Sequence, residues 1–315
     1  MEEIKIIATE SLGVRSLCCT VQTENKKIVI DPGIALGYQR KGQLPHPIQI
    51  AVDEILRERI ISELKDATDV VFSHYHGDHI PLADANPYQL SLDKVEQYLR
   101  KSKVWAKGLE NESTKMQARG RNIKMNVSNF IIAEGESDQS LSFSFPVFHG
   151  EKDSNLGSVM MVEVELQNKK FIHASDIQFL HSNTIDQLIN KKPDIVLASG
   201  PPLYLSYLNE KLLEKAEENI LKLSETVGLV IIDHHLLRSI TGLEFLRKLD
   251  KKSPNKIMCA ADYMGVKPHL LEARREELYN KFPVPADWHL KYEEGKVSTQ
   301  SYLEKARAEL DNFIY

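Results

Sequence analysis

With 315 residues, 42% hydrophobic and 27% charged, the chain has the apolar material for a core and lacks the bias of a disordered or fibrous protein. One compact α/β domain over residues 1–315 is the starting expectation, because folds of this class reach that size as a single unit. The formal net charge of -5 argues against a general polyanion binder.

Strands are predicted at Ile4 to Ala8, Leu17 to Thr23 and Lys27 to Ile30, a helix at Val52 to Lys65, and a buried strand at Val70 to Ser73. Leu92 to Lys101 reads as helical and Trp105 to Asn122 as a polar connection without a sustained period. A second β-rich stretch follows at Phe130 to Ala133, Leu141 to Phe148, Ser158 to Glu165 and Lys170 to Ala174. Helical patterns then occupy Thr184 to Asn190, Glu210 to Thr226, Leu243 to Lys251 and His269 to Asn280, with short strands at Ile195 to Ala198 and Gly228 to Ile232. The last helix is predicted at Thr299 to Phe313. Strands clustered in each half, with helices to cover them, imply two packed sheets with helices outside, a four-layer αβ/βα sandwich. A helical extension follows from about residue 266.

Cys18, Cys19 and Cys259 are odd in number and two are adjacent, so they read as small buried hydrophobes in a reducing compartment rather than a disulfide framework. MEEIKIIATESLGV has neither the basic start nor the long apolar stretch of a secretion signal, and no later run approaches membrane-spanning length. A cytoplasmic protein with no membrane partner is expected.

The chemistry is concentrated after the strand Val70 to Ser73, where His74-Tyr75-His76-Gly77-Asp78-His79 sets four potential metal ligands in six residues. Imidazole nitrogen and carboxylate oxygen suit zinc, iron or manganese, and the loop leaving a strand's C-terminal end is where α/β sheets place ligand-binding groups. Polar residues also close other apolar runs, among them Asp31 in IVIDPG, His149 in FPVFHG, Asp176 in IHASDIQF and His234 in LVIIDHH, and none of these alone points to a ligand. Alone, Asp31-Pro32-Gly33 is an ordinary strand-ending turn, His149 a loop histidine and Asp176 a turn cap. The segment Tyr38 to Pro47, with basic and aromatic residues, reads equally as a rim over the site or as a solvated loop.

Together these motifs resemble, in order and spacing, the ligand pattern of the metallo-β-lactamase superfamily. The phrases GVRS, IDPG, SDIQ, GPP and DHHLLR are similar to one branch of it, made up of hypothetical metal-dependent hydrolases. The resemblance implies a hydrolase whose nucleophile is a hydroxide bridging two divalent transition-metal ions, zinc first, with iron or manganese as alternatives. It implies that His74, His76 and His149 hold the first ion, that Asp78, His79 and His234 hold the second, and that Asp176 bridges them. Asp31 would orient a ligand from behind, so that Asp31 and Asp78 join the catalytic set. His234 is expected to be the last ligand, with His235 facing away, because successive side chains at a strand end alternate. Arg15, Arg40 and Arg238 are candidate contacts to an anionic substrate.

A phosphodiester or other phosphorylated small molecule is the favoured substrate, and nucleic acid is not favoured. A β-lactam target would require export, and the 58 positions from Asp176 to His234 leave no room for an inserted nuclease module. The rival readings are an iron-dependent oxidoreductase of the same fold and a non-catalytic metal-stabilised binding protein.

Overall fold

In the computed structural model, which describes residues 2–151 and 156–310, each half of the chain builds its own sheet. The first contains β1 (Glu3–Thr9), β2 (Leu17–Gln22), β3 (Lys27–Ile30), β4 (Asp69–Phe72), β5 (Lys103–Ala106) and β6 (Phe130–Ile132), paired in chain order. β1 to β3 form an antiparallel meander, and β3 to β6 run parallel. Parallel neighbours need long crossovers. These carry α1 (Pro47–Leu64), α2 (Glu96–Leu99) and α3 (Thr114–Asn126).

The second half adds β7 (Ser137–Asp138), β8 (Leu141–Phe143), a ribbon of β9 (Val147–Phe148) and β10 (Ser158–Val159), then β11 (Val162–Glu165), β12 (Lys170–Ser175), β13 (Ile195–Ala198), β14 (Leu229–Ile232) and β15 (Ile257–Met258). Its sheet order is β15-β14-β13-β12-β11-β8-β7, antiparallel from β7 to β12 and parallel from β12 to β15. The crossovers carry α4 (Ser182–Lys191), α5 (Glu210–Thr226) and α6 (Ile240–Lys252), followed by α7 (Ala260–Tyr263), α8 (Arg275–Lys281), α9 (Trp288–Glu293) and α10 (Gln300–Leu310). β4 and β13 are buried on both faces, as strands enclosed between layers must be. The result is the expected αβ/βα sandwich. No helix among the described residues is long and apolar enough to cross a membrane.

Several boundaries differ from expectation for identifiable reasons. α1 starts at Pro47 because His46 caps it: the His46 ring accepts from Ile48 N at 3.1 Å, while Gln49 Oε1 accepts from His46 N at 2.9 Å. That is a capping box written with unusual residues. The stretch read as the connection Trp105 to Asn122 contains the end of β5 and most of α3, whose only buried residues are Gly120 and Ile123, so no apolar stripe announces the helix. Leu141 to Phe148 is split into β8 and β9, with Pro146 between them. Leu92 to Lys101 reduces to isolated helical turns, and His269 to Asn280 is helical only from Arg275. Residues 311–313 of the predicted last helix lie outside the described residues.

The C-terminal extension is clamped onto the first half. Arg275, 1% exposed, donates to Gln49 Oε1, Gln43 O and Gly37 O at 2.9, 2.9 and 2.6 Å. Tyr292 and Thr299 both donate to the Glu54 carboxylate at 2.7 Å. The segment Tyr38 to Pro47 is therefore pinned under α8, and none of it lines the cavity described below.

Candidate metal centre

The C-terminal ends of the parallel strands bring the polar residues to the seam between the sheets. There the Ser73 and Ser175 hydroxyls lie 2.6 Å apart, and Met160 N donates to Ser73 O at 2.9 Å. Asp31, just past β3, has a left-handed φ of 49°, which turns its carboxylate back toward the loop after β4. It accepts from Ser73 N at 2.8 Å, Ser73 Oγ at 2.5 Å and His79 Nδ1 at 2.9 Å. The bond from Nδ1 fixes the His79 tautomer and leaves Nε2 facing inward.

Asp176 is the hub. Its Oδ2 has His149 Nε2 at 3.1 Å, His79 Nε2 at 3.2 Å, His235 Nε2 at 3.3 Å and His74 Nε2 at 3.6 Å. His74 Nε2 is also 3.0 Å from His76 Nδ1, and His234 Nε2 lies 3.4 Å from both Asp78 Oδ2 and His79 Nε2. Ligand atoms of His74, His76, His149 and Asp176 all fall within 4.8 Å of one another, as do those of Asp78, His79 and His234. Asp176 also groups with His234 and His235, so the carboxylate expected to bridge the two sets touches both, and these residues come together from four loops.

The charge state of the cage favours cations. Burial would raise Asp176, but His79, His235 and His234 hold its carboxyl well below the usual range. Burial likewise opposes ionisation of Asp78, and His234, His79 and Arg238 keep it well below its ordinary value. Burial, with His74 and His149 nearby, pushes His76 down to about 2, and burial with Arg238 pushes His234 down to about 4, so both rings offer lone pairs at neutral pH. His79 is the exception: burial would lower it, but the carboxylates of Asp176 and Asp31 on its two sides raise it well above 6.5. Asp176 Oδ1 is buried with no hydrogen-bond partner among the described residues. An orphaned carboxylate oxygen amid imidazole nitrogens fits a divalent transition metal, for which this donor set is suited.

Over the cluster opens a cavity of about 590 Å³, lined by His76, Asp78 and His149 on its floor and by Arg15 and Arg238 on its wall. Arg40 does not line it. Its guanidinium is 3.1 Å from Glu272, a carboxylate also bonded by Arg15 Nε at 2.6 Å.

His235 does not face away. His234 adopts a φ of 33° and His235 is already helical, at φ -62° and ψ -38°, so the strand alternation has ended at Ile232. The two rings stack at 4.7 Å and both reach Asp176. Sequence reasoning also missed Gln178, whose side-chain amide nitrogen is 3.4 Å from His149 Nδ1 and 3.5 Å from His235 Nδ1. Its place two residues after Asp176 was the only available signal. His173 lies inside β12, with Nε2 2.9 Å from Leu17 O, outside both ligand groups.

Known proteins are similar to this chain in sequence and in fold. The family model of the metallo-beta-lactamase superfamily matches residues 13–101, the stretch holding Asp31 and the His74 to His79 motif. A UPF0282 protein of Methanosarcina mazei is 43% identical over 302 residues, covering 96% of this chain and 99% of the relative. Another from Pyrococcus abyssi is 35% identical over 285 residues, covering 87% and 91%. A solved structure described as a metal-dependent hydrolase of the beta-lactamase superfamily shares the fold with a TM-score of 0.51, at 12% identity, over 82% of this chain and 95% of that one. The chain belongs to the UPF0282 family and carries, over residues 13–101, a match to the metallo-beta-lactamase superfamily model.

Proposed function

We propose that this protein is a binuclear metal-dependent hydrolase of a phosphodiester or related anionic ester. The observation that carries the proposal is the convergence of His74, His76, His149 and Asp176, beside a second group of Asp78, His79 and His234, beneath a cavity whose floor His76, Asp78 and His149 form. In this reading the first group holds one ion and the second group another, with Asp176 between them. Ions so held supply water whose pKa is lowered from about 16 towards 7 and an electrophile for the ester oxygen. The protein's own part is to orient His79, whose Nδ1 is held by Asp31, and to keep His76 and His234 neutral by burial. Asp78 stands at the cavity edge with its carboxylate ionised, where it would help to hold the second ion.

The wall supports the substrate class. Arg15 presents a guanidinium suited to an anionic oxygen, and exposed Leu156, Leu205 and Tyr207 give the mouth an apolar lip. An anionic ester bearing an aromatic or apolar group fits both. The buried free thiols of Cys18, Cys19 and Cys259 support a reducing, cytoplasmic setting.

The test is a panel of bis(4-nitrophenyl) phosphate, a thioester and a lactone, each with zinc-, manganese- and iron-loaded protein. Cleavage of the phosphodiester is expected, reduced by about a hundredfold or more in His76→Ala. Cleavage of the thioester or lactone alone would discard the substrate class and keep the reaction type.

A further inference from the structure

The cation nearest the second ligand group belongs to the protein itself. Arg238 Nη2 lies 3.0 Å from Asp78 Oδ2 and 2.6 Å from His234 Nε2. A guanidinium only donates, so His234 Nε2 must offer it a lone pair. That lone pair and that carboxylate oxygen are the ones a second ion would take. A metal–nitrogen bond is about 2.0–2.1 Å long and an imidazole nitrogen has a single lone pair, so His234 Nε2 cannot serve both cations at once.

Nor is Arg238 a stray surface chain. It is 6% exposed and held from behind, with Nε 3.3 Å from Glu10 Oε2 and Nη1 3.2 Å from the Tyr204 hydroxyl. Glu10 is itself fully buried, and its Oε1 has no hydrogen-bond partner among the described residues. The first group differs. Among the described residues, no hydrogen bond joins a lysine or arginine to His74, His76 or His149.

We infer that Arg238 gates the second metal position, its guanidinium holding Asp78 and His234 until an ion displaces it, so that the two positions fill in order and with unequal affinity. The inference rests on the metal-centre reading above and adds a role for a residue that the sequence suggested only as a substrate contact. Displacement leaves Arg238 on the cavity wall, where its free Nη2 faces the space an anionic ester would enter.

The experiment is a zinc titration of metal-free, full-length protein against a competing chelator, with elemental analysis of the stoichiometry. Wild type should bind one ion tightly and a second at least about tenfold more weakly. Arg238→Gln should tighten the second event about tenfold and leave the first unchanged. Arg15→Gln removes an equal charge from the same cavity, but from a guanidinium bonded to Glu272 and not to the ligands, and should change neither event. Circular dichroism reports folding. If Arg238→Gln does not fold, Arg238→Lys carries the comparison, since it keeps a charge near Glu10 but cannot fork across Asp78 and His234; it should tighten the second event about threefold. An unchanged second event in the folded variant, or an equal response to Arg15→Gln, overturns the inference. Two equally tight ions in wild type overturn it while leaving the metal centre intact, whereas failure to bind zinc at all overturns both readings.

Discussion

Asp31 does not line the cavity, yet it fixes the direction of His79. Burial alone would raise its carboxyl, but the hydrogen bond and charge of His79, with His173 and His74 nearby, hold it below its ordinary value. Replacing it by Asn would keep one acceptor for Ser73 N and set an amide donor against His79 Nδ1–H or the Ser73 hydroxyl. Asp31→Asn should therefore weaken zinc binding by about ten- to a hundredfold, read by chelator competition, and lower unfolding stability by about 1–3 kcal/mol. A variant with unaltered zinc affinity would show that Asp31 merely ends a strand. At this scale His74, His76, Asp78 and His79 were legible as a dense cluster at a strand exit, and His149, Asp176 and His234 through the resemblance to the superfamily's ligand order. His235 was not, since its direction depends on the left-handed φ of its neighbour, which no periodicity reveals. Gln178 was not, because an amide carries its role only once two imidazoles from distant loops converge on it.

Between elements, the decisive contact is a crossing of two loops. A Cβ built on Gly33 would sit 2.1 Å from Ile80 N and 2.2 Å from the His79 carbonyl carbon, so the turn after β3 and the metal-loop backbone pass with no room for a side chain. Both atoms are backbone, and no rotamer change relieves the clash. Gly33→Ala should cost at least about 2 kcal/mol in urea unfolding and lower zinc affinity together with it, because the same shift displaces His79. Loss of stability with metal binding intact would mean that the loop relaxes away from the ligands. The strands and long helices were legible by their periods, and α5 matches its predicted bounds, Glu210–Thr226. What escaped was structure that does not depend on an apolar stripe: α3, with Gly120 and Ile123 its only buried residues, and the start of α1, set by a His–Gln capping box.

Across the whole molecule, the C-terminal extension braces Arg15, a cavity-wall residue from near the N-terminus, without lining the cavity itself. Glu272, 2% exposed, pairs with Arg15 and Arg40, and Arg275 stands one helical turn on. From the sequence the extension was a set of helical patterns without a role, since its partners lie more than 200 positions away. Burial would raise the Glu272 carboxyl, but Arg15 above all, with Arg238 and Arg275, pushes it down to about 2, against an ordinary value of 4.5. The folded-state pKa is thus the lower one. Its contribution is fully present above pH 4.5 and is lost as pH falls through 2. The shift corresponds to roughly 3 kcal/mol. Glu272→Gln does not titrate, so the stability gap between wild type and variant should be constant from pH 7 to about 5 and close progressively towards pH 2. Guanidinium unfolding at pH 7, 4 and 3 measures it. A gap that stays constant to pH 3 would mean that Glu272 holds the extension by shape and neutral hydrogen bonds, and that the arginines of the cavity wall are positioned without its charge.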